Sequence, residues 1–345
     1  MVELTADEAA VYDRQLRVWG LETQQKLRQS KVLIVGCTGL AAEVAKNIIL
    51  AGVGSVTLVD DTPCSASSPG NFLVPHDAKD KTVAEACVAT LQEMNPLVSV
   101  NAVAGTPGTF VSTATVSGYN IVILVGQSGA VVDAADVACR ETNVPLIAAC
   151  SRGLAGWAFA NVHSHTYIKE NKTDQSDGTT KKTTEVKSVQ GVSWEAALGA
   201  PVEKRQMKRM SPFLPLLRVC MRFERIEGRS ALSSDYAVLE PALLNLCKVE
   251  GHTGGSVDGT ALGSFLESTE EMPAINAILG GVVANDTIKI VASKGEPVIN
   301  NIFMYSLLEG GGWVERLGFR NLSSPRFGGL ISLLGNQIFI DLQDG

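Results

Sequence analysis

The stretch VLIVGCTGLAAEVAKN, residues 32 to 47, decides the fold of this chain. Four apolar residues predict a buried strand, a glycine turn follows, and the apolar residues after the turn have helical spacing. A glycine turn between a strand and a helix is where dinucleotide-binding domains hold a pyrophosphate. Gly36 agrees with the first glycine of that fingerprint and Gly39 adds a glycine to the turn, whereas Thr38 and Ala41 replace the other two glycines. The stretch therefore predicts a fold and leaves nucleotide binding open.

The segments around this turn alternate between strands and helices. A helix at 40–50 and a strand at 55–60 complete one βαβ unit, and Asp60 ends that strand where the fingerprint has a ribose-binding carboxylate. Further strands are predicted at 98–102, 119–125 and 144–149, with helices at 82–94 and 131–142. This alternation predicts an α/β protein with a Rossmann-like, doubly wound and mainly parallel sheet.

The second half of the chain predicts an insertion and a return to the sheet. Residues 169–187 are polar without an apolar period and predict a loop, and residues 251–263 predict a glycine-rich linker. An apolar helix at 275–291 and a strand at 302–307 indicate that the chain re-enters its own sheet. We expect a discontinuous domain of residues 1–165 and 270–318, an insertion at 166–269, and an atypical tail at 319–345.

Composition narrows the possible functions. The 345 residues are 45% hydrophobic and carry a formal net charge of −7, without the clustered cations that contact nucleic-acid phosphates. The N-terminus has no secretory pattern, and no apolar run reaches the roughly 18 residues of a membrane helix. The seven cysteines form no C-x-x-C pair, which predicts reduced thiols and no zinc site. We expect a cytosolic or nuclear protein, with no nucleic acid or membrane as partner.

Five stretches in a fixed order resemble the ThiF/MoeB-like adenylation family, which activates ubiquitin-like proteins and bacterial sulfur carriers. They are YDRQLRVWG (12–20), NIILAGVGSVTLVDD (47–61), LQEMNP (91–96), AILGGVVAND (277–286) and GEPVINNIF (295–303). The resemblance is greatest to one branch, the smaller regulatory subunits of SUMO-activating enzymes. It implies a heterodimer whose catalytic subunit binds ATP and Mg, adenylates SUMO and transfers it to a cysteine, so that SUMO is a partner through the complex.

The same resemblance implies that this chain lacks catalytic side chains of its own. The Asn-x-x-Arg-Gln signature of active members matches Ser67, Gly70 and Asn71 here. The ATP-contacting lysine matches Val83, and the magnesium aspartate falls near Ser128. Phosphoryl transfer depends on cations that neutralise developing charge, which valine and glycine cannot supply. We therefore expect this chain to bind no cofactor or metal and its glycine turn to be a retained scaffold.

Arg14 is the residue to which the resemblance assigns a role in catalysis. In the family, the arginine of the N-terminal motif reaches across the dimer to the ATP phosphates of the opposite subunit. A planar, permanently charged guanidinium suits that task, and no acid lies three or four residues from Arg14. Arg17 has two open roles, at the same phosphates or paired with Asp13, and the i,i+4 spacing favours the pair.

Weaker signals lie at five other positions. Cys150 suggests a thioester nucleophile, but a small buried residue at a strand end is the favoured interpretation. Gly280 and Gly281 fit close packing within the domain and close approach of a partner equally well. His163 and His165 share one face of a predicted strand without a third metal ligand, so surface or capping residues are the favoured interpretation.

Three alternative functions stay open at this stage. The first is a regulatory subunit for another ubiquitin-like modifier. The second is an NAD-dependent Rossmann dehydrogenase, which would explain the turn and Asp60 but has no recognisable hydride-handling site. The third is a homodimeric adenylyltransferase for a sulfur carrier, which the residues at 67, 70 and 83 contradict.

Overall fold

The structure is a computed structural model and describes residues 4–66, 70–174, 180–200, 202, 211, 213–250, 259–299, 301–307 and 310–317. The strands are β1 Lys31–Val35, β2 Ser55–Val59, β3 Ser99–Val103, β4 Ile121–Val125, β5 Leu146–Arg152, β6 Ala155–Asn161, β7 Ser164–Asp174, β8 Thr180–Gln190, β9 Ile302–Ser306 and β10 Gly311–Glu315. The helices are α1 Ala6–Val11, α2 Asp13–Trp19, α3 Leu21–Arg28, α4 Gly39–Leu50, α5 Val83–Met94, α6 Pro107–Phe110, α7 Thr113–Val116, α8 Gly129–Thr142, α9 Trp194–Gly199, α10 Leu214–Glu227, α11 Tyr236–Glu250, α12 Gly259–Glu267 and α13 Pro273–Ala292.

One sheet organises these elements, in the strand order β10-β9-β6-β5-β4-β1-β2-β3. Strands β3, β2, β1, β4 and β5 are parallel, and β6, β9 and β10 extend the sheet in antiparallel pairing. The predicted α/β fold with a mainly parallel sheet is confirmed. Strand β1 pairs with β2 on one side and β4 on the other, so the strand order reverses there, and that is where this kind of sheet binds ligands.

Hydrophobic side chains fill both faces of the sheet. Alternation along β1 sends Val32 and Ile34 to the layer under α4, α5 and α13, and Leu33 and Val35 to the layer under α8, α10 and α11. In the second layer Trp194 stacks on Trp157 at 5.4 Å between ring centroids. Helices cover both faces, which explains why the central strands are continuous apolar runs rather than alternating ones.

The predicted return of the chain to its own sheet is confirmed. Strand β9 pairs with β6, with Phe303 opposite Ala158. Helix α13 begins at Pro273, where a missing N–H costs nothing, and its C-cap, Ser293, has the left-handed conformation. By length and composition α13 could cross a membrane, but half of its most apolar window is buried against the sheet and α4, as expected for a core helix.

Two predictions for the insertion are wrong. Residues 169–187 belong mostly to an antiparallel ribbon of β7 and β8, where His165 and Tyr167 contact residues 295–296 and anchor its base. Threonine and valine favour extended backbone, and a two-stranded ribbon needs no apolar run. Residues 259–263 of the predicted linker begin α12, whereas 251–258 lie outside the described residues. The predicted tail at 319–345 also lies outside them, and the domain boundaries stay predictions.

Candidate functional site

The glycine turn lies at the carboxyl end of β1, beside the β1–β4 boundary. Gly36 has φ +90°, and a side chain there would collide with the carbonyl oxygen of Val125. Thr38 is the N-cap of α4, and its hydroxyl accepts a bond from the Ala41 amide at 3.5 Å. The shape of a phosphate-binding turn is therefore retained, with close contact between the loops after β1 and β4.

A carboxylate of this chain occupies the donors of the turn. The Gly39 amide donates to Glu271 Oε2 at 2.6 Å, and the Leu40 amide donates to Oε1 at 3.3 Å. The Thr38 hydroxyl donates to Oε1 at 2.7 Å. Together with the Thr38 cap, Glu271 satisfies the first three amides of α4 and lies at the positive end of its dipole.

The other residues around the turn are also buried or hydrogen-bonded within this chain. Asp60 is buried; its carboxylate accepts from the Cys37 amide at 2.7 Å and from the Thr62 amide at 2.9 Å. Asn71 donates to the Cys37 carbonyl at 2.7 Å. Val83 is buried in the core. Gly36, Gly39 and Asp60 thus form a braced scaffold, and their part in nucleotide binding stays a prediction, while Ser67 lies outside the described residues.

The loop between β4 and α8 also has an amide that donates to a carboxylate of this chain. Ser128 is the N-cap of α8, and the Gly129 amide donates to Glu224 Oε2 at 3.1 Å. The other oxygen of Glu224 accepts from the Ala231 amide at 3.1 Å. Burial raises the pKa of the Glu224 carboxyl, and these two bonds oppose the rise. Both helix N-termini at the strand-order reversal therefore hold acidic side chains from distant parts of the chain.

The environment of Cys150 supports its structural interpretation. Desolvation raises the pKa of its thiol to about 12, and the charges of Glu224 and Glu271 act in the same direction. The thiolate is the nucleophilic form of cysteine, so this thiol is inert at neutral pH. The adjacent Arg152 donates to the carbonyls of Ser268, Ala231 and Leu266 and fixes the insertion to the end of β5.

Arg14 lies on α2 and is exposed. Within the described ranges of the chain it has no hydrogen bond or ion pair. Arg17 forms the predicted i,i+4 pair with Asp13, Nη2 to Oδ2 at 2.9 Å, which confirms the favoured interpretation. The two arginines on this helix therefore differ, since Arg17 is paired at the surface and Arg14 has no partner among the described residues.

Three of the shared stretches meet beneath α2 and hold it in place. Tyr12 is buried; its hydroxyl accepts from Asn95 Nδ2 at 2.9 Å, and the same amide donates to the Ile49 carbonyl at 2.8 Å. Gly52 has φ +82°, and a Cβ there would lie 2.5 Å from the Tyr12 ring. Gln15 donates to the Leu50 carbonyl at 3.1 Å. Sequence reasoning missed these anchoring roles, although the joint presence of the three stretches was a signal for them.

A surface groove of about 290 Å³ runs between α2, α4 and α13. Its lining residues are Gln15, Trp19, Leu27, Asn47, Leu50, Ala51, Gly281, Ala284, Asn285 and Ile288. The two glycines of α13 differ in their surroundings. A Cβ on Gly280 would lie 2.5 Å from Glu43 Cβ, whereas one on Gly281 would meet none of the described residues within 4 Å. Val18 and Leu21, which flank the groove residue Trp19 in the sequence, are 74% and 54% exposed.

The two histidines have structural partners. His163 Nε2 lies 2.8 Å from the Val144 carbonyl oxygen, and His165 Nε2 lies 3.1 Å from that of Gly295. Within the part of the chain that the structure describes, no group of three His, Cys, Asp or Glu side chains is placed to hold a metal ion.

Comparison with known proteins identifies the family of this chain. The ThiF family profile matches residues 12–322. The chain belongs to the ThiF family. It is 32% identical over 327 residues to SUMO-activating enzyme subunit 1B-1 of Arabidopsis thaliana, covering 92% of this chain and 98% of the relative. It is 30% identical over 344 residues to SUMO-activating enzyme subunit 1 of Homo sapiens, covering 91% and 96%. The resemblance inferred from the five stretches is confirmed.

Solved structures support the fold. The E. coli MccB structure with succinimide aligns with a TM-score of 0.54 at 14% identity, covering 91% of this chain and 73% of MccB. PaaA aligns with a TM-score of 0.52 at 15% identity, covering 91% and 75%. At these identities the likeness concerns the fold alone.

Proposed function

We propose that this chain is the non-catalytic regulatory subunit of a heterodimeric, ATP-dependent SUMO-activating enzyme of the nucleus and cytoplasm. The observation that carries this proposal is Arg14, an exposed guanidinium that has no ion pair with any described residue and lies on a helix that is anchored from below. The family relationship and the coverage of SUMO-activating enzyme subunit 1 proteins from end to end support the choice of SUMO.

ATP and Mg bind, in this proposal, to the partner subunit and not to this chain. The turn that would hold a nucleotide phosphate has its first helical amides satisfied by Glu271 and Thr38. The position that matches the ATP-contacting lysine of active members is the buried Val83. The carboxylate of Glu271 also counts against an NAD-dependent dehydrogenase. The glycine turn suggested that function, and its amides bind this carboxylate.

Arg14 completes the partner's ATP site in trans. When the carboxylate of the modifier's C-terminal glycine displaces pyrophosphate from ATP, negative charge develops on the phosphoryl oxygens. A guanidinium fixed in advance near those oxygens stabilises that charge without reorganisation. The Tyr12–Asn95 bond and the Gln15–Leu50 bond supply the fixation, since they hold both ends of the turn of α2 that carries Arg14.

The groove beside Arg14 is the face that the partner subunit covers. Trp19 of α2 and Gly281 of α13 line it, the exposed Val18 and Leu21 flank Trp19 in the sequence, and Arg14 also lies on α2. Large apolar side chains grouped at a surface favour burial by another protein. One interface would therefore position the guanidinium and remove apolar surface from water.

ATP–pyrophosphate exchange tests the proposal. We expect no exchange from this chain alone with SUMO, and SUMO-dependent exchange when it is mixed with a catalytic SUMO-activating subunit. Exchange by the lone chain would support a homodimeric adenylyltransferase instead. Exchange by the pair that depends on another ubiquitin-like modifier and not on SUMO would assign the chain to that modifier.

A further inference from the structure

Glu271 reaches the glycine turn from far along the chain. It lies 232 residues after Gly39 and two residues before α13 begins, and its backbone is held by a bridge to Gly153. The Gly153 amide donates to the Glu270 carbonyl at 2.8 Å, which fixes the approach. The local capping role belongs to Thr38, so Glu271 is an addition to an already capped helix.

The donors that Glu271 uses are those that a phosphate would use. Two consecutive amides at the start of α4 and the Thr38 hydroxyl converge on its two oxygens at 2.6, 3.3 and 2.7 Å. Amides of this kind at the start of a helix bind phosphates and carboxylates alike, because both present anionic oxygens to the positive end of the helix dipole.

We propose that Glu271 is an internal ligand of this turn, which stands in for a nucleotide phosphate and keeps the site closed. A phosphoryl group is the class of ligand that the opened turn would accept. The carboxylate closes the site in two ways. It occupies the space directly above the turn, since its Oε2 would lie 2.7 Å from a Cβ on Gly39, and its negative charge repels an incoming anion.

Covalent attachment gives the carboxylate its advantage over a free anion. A group held on the same chain competes at an effective concentration of about millimolar or higher, without the entropy cost of bringing in a separate molecule. Free phosphate or nucleotide would have to displace it and also overcome its charge. This inference concerns the lone chain and does not depend on the proposed partner or on Arg14.

The test compares the wild-type full-length chain with Glu271→Ala and Glu271→Gln, using inorganic pyrophosphate as the probe. Glu270→Ala is the matched control, because it removes an adjacent, exposed carboxylate and the same charge. Titration calorimetry measures affinity, and the amide resonances of Gly39 and Leu40 report where the anion binds.

We expect Glu271→Ala to bind pyrophosphate at least about tenfold more tightly than the wild-type chain or Glu270→Ala does. The Gly39 and Leu40 resonances should shift during that titration. Glu271→Gln keeps the size of the side chain and removes its charge, so it should bind with intermediate affinity even if the alanine variant folds poorly. The inference is overturned if a folded Glu271 variant binds pyrophosphate no better than Glu270→Ala, or if binding leaves the Gly39 and Leu40 resonances unchanged. Neither result would affect the exchange assay of the assembled pair.

Discussion

The glycine turn after β1 and the helix α2 handle electric charge in opposite ways. The turn presents amide donors, and this chain satisfies them with Glu271 and the Thr38 cap. Helix α2 presents the Arg14 guanidinium, for which the described part of the chain provides no anion. Unsatisfied buried amides cost free energy, whereas an exposed cation is solvated and costs little. The comparison teaches that this chain satisfies the donors of its turn from within, whereas the cation of α2 has no such partner among the described residues and, in the proposed function, serves another molecule.

The largest effect should come from Arg14→Ala in the assembled pair. Loss of a guanidinium that stabilises developing phosphoryl charge should lower SUMO-dependent ATP–pyrophosphate exchange by about 10²- to 10³-fold, with the subunits still associated. Arg17→Ala is the control, because Arg17 is already neutralised by Asp13 at the surface. Equal activities of the two variants would contradict the role proposed for Arg14.

Asn95→Ala should loosen the helix that carries Arg14. The substitution leaves the buried Tyr12 hydroxyl and Ile49 carbonyl without their shared donor, which should cost about 1–3 kcal/mol in the free energy of unfolding. Urea denaturation of the lone chain measures this loss, and exchange by the pair should fall as well. Full stability in the variant would show that α2 is held by other contacts.

The two glycines of α13 offer a matched pair of substitutions. Gly280→Ala forces α13 away from Glu43 on α4 and should destabilise the lone chain by roughly 1–3 kcal/mol. Gly281→Ala meets open space and should stabilise it by roughly 0.5–1 kcal/mol, because alanine favours helix.

A larger side chain at the second glycine sharpens the interface proposal. Gly281→Leu should leave the lone chain folded and weaken its association with the partner, since the leucine would fill the groove. Analytical ultracentrifugation of the mixture measures this effect. Undiminished association would place the interface on another face.

The smallest effect concerns the pH dependence of stability that arises from Glu224, the carboxylate that binds the Gly129 amide after β4. Burial raises the folded-state pKa of Glu224 above its ordinary value of 4.5. The folded state therefore takes up the proton more readily, and the associated stability is full below pH 4.5 and is lost as pH rises through the folded pKa. The free energy of unfolding should decline more between pH 4.5 and 7 in the wild-type chain than in Glu224→Gln. Parallel profiles for the two proteins would contradict this.

Local pattern was sufficient to predict the scaffold. Apolar strands, the glycine turn and helical spacing between residues 31 and 149 predicted β1 to β5 with boundaries close to those observed. The i,i+4 pair of Asp13 and Arg17 was also a local feature. The ribbon of β7 and β8 was missed because its polar strands have no apolar period.

Contacts between distant parts of the chain were beyond local pattern. Nothing around Glu271 indicates that it reaches a turn 232 residues earlier, and the same is true of Glu224 and Gly129. The role predicted for Arg14 came from the family resemblance. Its position in the structure shows that the side chain is exposed, but exposure alone does not indicate a function. The sequence thus predicted the backbone of the glycine turn, but not the carboxylates that bind its amides and those of the neighbouring loop.

The pairing of β6 with β9 has a consequence for synthesis. Residues 155–161 leave the ribosome about 140 residues before residues 302–306, as translation proceeds at roughly 5–20 residues per second. During that interval one edge of β6 lacks its neighbour, and an unpaired strand edge attracts other chains. A nascent polypeptide of this design therefore has an interval of exposure to aggregation in which chaperone binding to that edge would improve the yield of native protein.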